Sequence, residues 1–367
     1  MQHQQRSNKY VHMENFSGPK QLRAIDLFSG SGAVSEGLKE NGFKVVAAVD
    51  NDTIACETYR LNHPEVSLLQ KNIREINPAE MALTIDTAES IDLVVVCAPC
   101  QPFSNQNRKR IKSDPRANLI VESIKFVRQF QPTLVFFENV PGLATNGPIA
   151  ELTCELEKLG YFLSRPIKLD AADMGVPQRR ERCILIATKN KTVTDSFGNN
   201  ITLQSKISVR EAIGGLPSLK SGEASSTDPL HRARTHEHIT LQRLKHIPQD
   251  GGSRSSLPNH LVLECHKNRD SDFPDVYGRL KWNDVAPTLT TGCTDLTKGR
   301  FAHPRDDRAL TLREAALLQS FPLHYQFFGN SGQVARQIGN AVPVGMIRTL
   351  APYLATAISE AKRNITG

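Results

Sequence analysis

The stretch LRAIDLFSGSGAVSEGLKENGFKVVAAVD, Leu22 to Asp50, decides the fold. Two near-continuous apolar runs, LRAIDLF (22–28) and FKVVAAVD (43–50), enclose SGAVSEGLKENG, which has helical spacing and ends on Asn41-Gly42, a good helix stop. A run that is apolar at almost every position suits a strand buried on both faces. The alternation continues downstream. IDLVVVCA (91–98) and PTLVFFEN (132–139) match such strands, whereas NDTIACETYRLNH and ANLIVESIKFVRQF match helices, the latter ending before Pro132. Strands alternating with helices predict a doubly wound α/β sheet.

Working outward, residues 1–20 form a polar tail without the apolar core of a secretory signal. The α/β domain is expected over 21–190, and it is the catalytic domain in what the resemblance given below implies. From 191 the chain turns rich in Pro, Gly, Ser and His, opening on the polar turn TDSFGNN, and a smaller domain is expected over 191–325. Residues 326–367 return to the first domain through a helix after Pro343, with Val344, Ile347, Leu350, Ala351 and Leu354 on one face. No apolar run approaches the length of a membrane helix, so a cytoplasmic protein is expected. Seven cysteines along 367 residues argue against a disulfide framework. A net charge of +7 favours an anionic partner such as nucleic acid.

DLFSGSGAVSEGL places a glycine turn, Gly30 and Gly32, between the first strand and its helix. Such a turn offers free N–H groups to a ligand, and Asp50, ending the second strand, can accept from ribose hydroxyls. There is no third glycine three residues on, so a nucleoside cofactor fits better than a dinucleotide.

LVVVCAPCQPFS (93–104) carries Cys97 and Cys100 in Cys-x-x-Cys spacing. A redox pair usually opens a helix, which Pro99 and Pro102 forbid. A zinc clip needs a second pair, and none occurs; His231, His236, His238 and His246 are taken as a basic surface. Cys97 lies inside the apolar run, while Cys100 lies just past the strand's carboxyl end, where ligand crevices form. One nucleophile remains, Cys100, and it needs thiolate character to act. The basic stretch NRKRIKSDPR after it, with Arg108 and Arg110, suits phosphate contact.

PCQPFS resembles the catalytic motif of the DNA (cytosine-5) methyltransferases, prokaryotic or phage restriction-modification type. DLFSGSG resembles that family's S-adenosylmethionine motif, and FFENVPGL (136–143), GVPQRRERCILIA (175–187), APTLTT (286–291) and RQIGNAVPV (336–344) resemble its later motifs in order. The resemblance implies a Rossmann-like S-adenosylmethionine-dependent methyltransferase domain with a smaller, irregular target-recognition domain. It implies Cys100, Glu138 and Arg182 as catalytic residues: thiolate attack at carbon-6, an acid at ring nitrogen-3, and a contact to the base carbonyl. Phe28, Gly30, Gly32, Asp50, Pro99 and Asn340 are implied for the cofactor. Asn72 stands where the family often has aspartate. Asn139, Gln178 and Arg180 are expected to support the site, Arg180 through Glu181 or Glu138. Within IPQDGGSRSSLP (247–258), Gly251, Gly252 and Arg254 are candidate DNA contacts alongside Arg108 and Arg110. No metal is expected. The implied partner is double-stranded DNA, with any cognate restriction endonuclease acting separately and the enzyme a monomer. The competing readings are a tRNA cytosine-5 methyltransferase of the same fold, a silent DNA-binding relative, and a Rossmann oxidoreductase.

Overall fold

The structure is a computed structural model that describes residues 21–86, 89–99, 118–143, 148–267 and 274–363. The polar tail, Cys100, Arg108 and Arg110 lie outside the described residues.

The first half builds a mixed sheet. Strand β1 (Arg23–Leu27) has all five residues buried, Arg23 and Asp26 included, as a strand covered on both faces requires. It leads into helix α1 (Ala33–Lys39), then β2 (Lys44–Asp50), α2 (Thr53–Asn62), β3 (Ser67–Gln70), α3 (Pro78–Ala82) and β4 (Leu93–Val96). Next come α4 (Ile124–Phe130), β5 (Leu134–Asn139), α5 (Ile149–Lys158), β6 (Phe162–Leu163), β7 (Ile167–Asp170) and β8 (Glu181–Thr188). The helices start where side chains replace missing backbone partners: Asp52 caps α2 by accepting from the N–H groups of Ile54 and Ala55. Gln131 ends α4 in the left-handed region at φ 43°, one residue before Pro132.

Strand order is β3-β2-β1-β4-β5-β8-β6, with β7 also paired to β8. Neighbours from β3 to β5 are parallel, and β8 runs antiparallel beside β5. Successive β-residues point to opposite faces, so two separate cores form. Ala24, Val95, Phe136 and Ile186 join one, with α1 and the C-terminal helix; Ile25, Val94, Phe137 and Leu185 join the other, with α4 and α5. Helices on both faces make the sheet doubly wound, as expected. Register aligns Leu27 with Val49 and Val96, and Val96 with Phe137. The carboxyl ends of four parallel strands therefore reach one rim. The chain reverses winding direction between β1 and β4, so the rim there opens into a crevice.

Helix α6 (Lys191–Ser196), capped by Asn190, occupies part of the segment expected as a polar turn, and its Val193 packs into the first core. The remaining helices are α7 (Val209–Ile213), α8 (His238–His246), α9 (Leu312–Leu318), α10 (Ser331–Asn340) and α11 (Val344–Arg363). A third core joins Val209, Leu280 and Phe301 to Ala33 and Val344, and a fourth holds Leu244, Tyr277 and Ala302. His231 differs from its expected place on a basic surface. It is 1% exposed, between Thr311 Oγ1 and the Pro217 carbonyl, because both ring nitrogens find partners inside.

All five apolar residues expected on one face of α11 are buried. The helix lies so close to α1 that a Cβ on Gly37 would stand 2.8 Å from Ile347 Cβ. By length and composition Ser331–Arg363 could also cross a bilayer, but 61% of its most apolar window is buried in the protein. This apolarity serves packing on the sheet.

Candidate active site

A cavity of about 490 Å³ opens at the crevice between β1 and β4, within the usual range for a small-molecule site. Its walls bring together residues far apart in sequence: Phe28, Gly30, Asp50, Asn72, Pro99, Glu138, Arg182 and Asn340 all line it. Gly32, also expected at the cofactor, is not on this wall. At φ 92° its missing Cβ leaves room for His63, 2.6 Å from where that atom would stand, and for the Tyr325 hydroxyl at 2.8 Å.

Asp50 anchors one end. Its carboxylate accepts from the N–H of Gly30 and of Asp52, each at 2.8 Å, so it ties the glycine turn to β2. Burial pushes its pKa up, against the pull of those two bonds. Beyond Gly30 the direction of a Cβ meets nothing within 4 Å, so the turn presents open backbone to the cavity. Asn72 accepts from the N–H of Arg74, 3.1 Å away, while facing the same space. Arg336 of α10 reaches Asp52 of α2 at 3.4 Å, joining two walls at the rim. Polar groups at one end and Phe28, Val49, Leu119 and Val342 on the walls suit a nucleoside whose flat base lies between apolar side chains and whose ribose and charged amino-acid arm meet polar groups. The residues present therefore fit S-adenosylmethionine.

At the other end, Glu138 closes β5 and contacts Arg182 of β8, Oε1 to Nε 2.7 Å, with side chains 6% and 13% exposed. The antiparallel pairing of β5 and β8 sets Glu138 opposite Ile184, which brings Arg182 alongside. Glu138 Oε1 is buried against Arg182 Nε, whose N–H is not well aligned with it. Burial raises the Glu138 pKa, opposed by the charges of Arg182 and Arg180. A carboxyl in this setting holds a proton more readily than one in water, and the Glu138 side chain forms part of the cavity wall. Asn139 donates to the Ala98 carbonyl at 3.1 Å and accepts from Val140 N–H at 2.9 Å, which fixes the chain two residues before Cys100.

Gln178 and Arg180, expected to support the site, bond mainly to backbone carbonyls and N–H groups. Gln178, fully buried, donates to the carbonyl of Leu318 and to Gln319 Oε1 and accepts from Leu289 N–H. Arg180 donates to the carbonyls of Leu289 (3.0 Å) and Gly339 (2.9 Å), and its charge acts on Glu138. At Gly339 a Cβ would lie 2.3 Å from the Thr290 backbone, so the last two sequence motifs lie directly against each other. No spacing rule finds the bonds of Arg180, because their acceptors are main-chain atoms more than a hundred residues away.

The expected DNA contacts of the second half sit differently. Gly251, at φ 104°, lies under the Lys281 side chain, whose Cγ would be 2.5 Å from an added Cβ, and Gly252 lies against Pro248. Both glycines are required by contacts within the protein. Arg254 is 9% exposed. Gly251 nevertheless borders a second cleft, about 340 Å³, with Arg179, Lys281 and Arg300. Among the described residues, no group of three or more His, Cys, Asp or Glu side chains could hold a metal ion.

The chain is similar to known proteins over most of its length. Type II methylase M.HgiDII of Herpetosiphon aurantiacus is 39% identical over 89% of this chain and 93% of its own length. Type II methyltransferase M1.HphI of Haemophilus parahaemolyticus is 33% identical over 93% of this chain and 86% of its own. A prophage-encoded DNA modification methyltransferase of E. coli superposes with a TM-score of 0.73 over 92% of this chain and 100% of its own, at 23% identity. The family model for C-5 cytosine-specific DNA methylases matches residues 22–355, from the first strand to α11, and this chain belongs to that family.

Proposed function

We propose that the chain methylates carbon-5 of a cytosine flipped out of duplex DNA, with Cys100 as the nucleophile at carbon-6. The observation that carries this is the buried Glu138–Arg182 pair, which lines the same cavity as Asp50 and the glycine turn. Carbon-5 of cytosine is a poor nucleophile until a thiolate adds to carbon-6. Addition places negative charge on the ring, and an acid at nitrogen-3 offsets it. Glu138 supplies that acid in protonated form, which its dry surroundings favour. Arg182, with most of its length covered, contacts the base carbonyl and holds the ring in plane with Glu138. Asn139 holds the segment leading to Cys100 through Ala98.

S-adenosylmethionine supplies the electrophilic methyl group. Phe28, Gly30, Asp50, Asn72, Pro99 and Asn340 would hold it, with Asp50 accepting from the ribose hydroxyls. Gly32 supports this set from behind the turn. Flipping the base costs a few kcal/mol, offset by phosphate contacts from the Arg108–Arg110 segment and the cleft beside Gly251 and Gly252. Arg254 serves that face from within the domain. The enzyme acts as a cytoplasmic monomer, and a cognate endonuclease, where there is one, is a separate protein.

The test is transfer of labelled methyl from S-adenosylmethionine to unmethylated genomic DNA, with tRNA run alongside, followed by bisulfite sequencing. Label at 5-methylcytosine within one short DNA motif supports the reading; label only in tRNA overturns the substrate. Cys100→Ser is expected to abolish transfer while leaving DNA binding in place. A duplex carrying 5-fluorocytosine is expected to trap a covalent adduct with the unaltered enzyme, because the proton needed for elimination is gone.

A further inference from the structure

The glycine turn is gripped from behind by two side chains that no sequence motif includes. His63 follows α2, and Tyr325 lies in the loop between α9 and α10. The Tyr325 hydroxyl donates to the Ser31 carbonyl. His63 Nε2 lies 3.1 Å from the Gly32 carbonyl and 3.2 Å from the Tyr325 hydroxyl. On the far side of the imidazole, Lys39 Nζ is 3.2 Å from Nδ1. An ammonium can only donate, so Nδ1 accepts and the proton sits on Nε2. The Nε2–H then donates to Gly32 and Tyr325, and every polar atom in the chain has a consistent role. Burial, then the Lys39 charge, lowers the His63 pKa to about 4, so the ring stays neutral at working pH. Burial also keeps Tyr325 a phenol.

Both gripped carbonyls belong to the turn whose other side, at Gly30 and Ser31, faces the cofactor cavity. Gly32 is the residue that lets the two side chains approach. Tyr325 is itself held, its ring centroid 4.8 Å from that of Phe321 and 5.5 Å from that of Phe327. Phe321 shares a core with Leu280 and Phe301 of the second half. We infer that Tyr325 and His63 are positioning residues for the cofactor: they preset the turn in its binding shape, and Lys39 selects the histidine tautomer that makes this possible. The inference rests on the proposed identity of the cofactor site.

The test is calorimetric titration of S-adenosylmethionine into the DNA-free full chain, with DNA affinity measured separately. Removing one hydrogen bond of this kind corresponds to about a three- to tenfold change in affinity. Tyr325→Phe is expected to weaken S-adenosylmethionine binding by that factor and leave DNA affinity within about twofold. His63→Leu is expected to do the same, and His63→Gln, which keeps an N–H donor, to recover most of the loss. Unchanged cofactor affinity in Tyr325→Phe, or equal loss of cofactor and DNA binding in both variants, overturns the inference. Failure of the unaltered chain to bind S-adenosylmethionine would instead overturn the assignment of the site.

Discussion

At the rim of the sheet, Glu138 and Arg182 face a cavity; in the second half of the chain Arg279 and Arg308, 1% and 0% exposed, face only protein. Arg279 donates to the carbonyls of Leu244, Ile247, His303 and Asp306 and to the Asp307 carboxylate, and so ties the end of α8 to the loop before α9. Arg308 forms a two-point bridge to Glu314, both contacts 2.8 Å, and reaches Asp306. Although burial pushes the Glu314 pKa up, the Arg308 bonds and charge hold it below its ordinary value. Glu138 goes the opposite way, because burial outweighs the opposing charges of Arg182 and Arg180. A buried carboxyl with complete partners stays ionised and serves structure. One with incomplete partners is available to a substrate. The same contrast separates a positive charge count from a positive surface, since several arginines contributing to the net +7 lie inside.

The largest expected break in this comparison is Glu138→Gln. Loss of a positioned acid lowers kcat by about 10² to 10⁴-fold. The unaltered enzyme should lose rate as pH rises through the elevated Glu138 pKa, since only the protonated form donates, and the Gln variant should show no such limb. A pH–rate profile of single-turnover methylation checks both.

Arg279→Met tests the other half. It leaves several buried carbonyls without donors, for an expected loss of about 3–5 kcal/mol, and even Lys cannot restore the fork. DNA binding should fall with it while S-adenosylmethionine titration of the folded fraction survives.

Asp26 gives a mixed case, fully buried beneath the glycine turn and bonded by Ser35 Oγ at 2.8 Å. Burial raises its pKa from 3.8 to about 7. The folded state then holds a proton that the unfolded chain releases between pH 4 and 7. Stability from this group is therefore greatest below about pH 4 and is lost as pH rises to about 7, by up to about 4 kcal/mol. Asp26→Asn should flatten that dependence, measured as the denaturant midpoint against pH.

The finest distinction is between Lys281, exposed across Gly251, and Arg254, buried. Lys281→Met is expected to lower the slope of log affinity for DNA against log salt by about 0.9. Arg254→Ala is expected to leave the slope unchanged and lower Tm.

The first sheet was legible because its signals are local: strands buried on both faces read as unbroken apolar runs, and each is followed by its own helix. β3 escaped, since its four residues at the sheet edge are all half-buried and carry no such run. The glycine turn and Asp50 were legible from the residues, whereas Glu138 and Arg182 were found through motif resemblance. The structure adds why they meet, through the antiparallel insertion of β8. What stayed hidden were side chains whose partners are distant main-chain atoms. Arg180 on Gly339, Tyr325 on Ser31 and His231 on Pro217 have no spacing to betray them. For the same reason the histidines suggested a surface where His231 is interior.

The seat of α11 on α1 sets an order of events during synthesis. Gly37 and Ile347, which touch, are separated by roughly 300 residues, and a ribosome adding about 5–20 residues per second needs on the order of 15–60 s to cover that distance. During that interval one apolar face of the nascent sheet has no permanent cover. The sheet's early strands must wait for the chain's late helix, so chaperone occupancy and aggregation of stalled chains should both rise for ribosomes halted before residue 344 and drop once 363 has emerged.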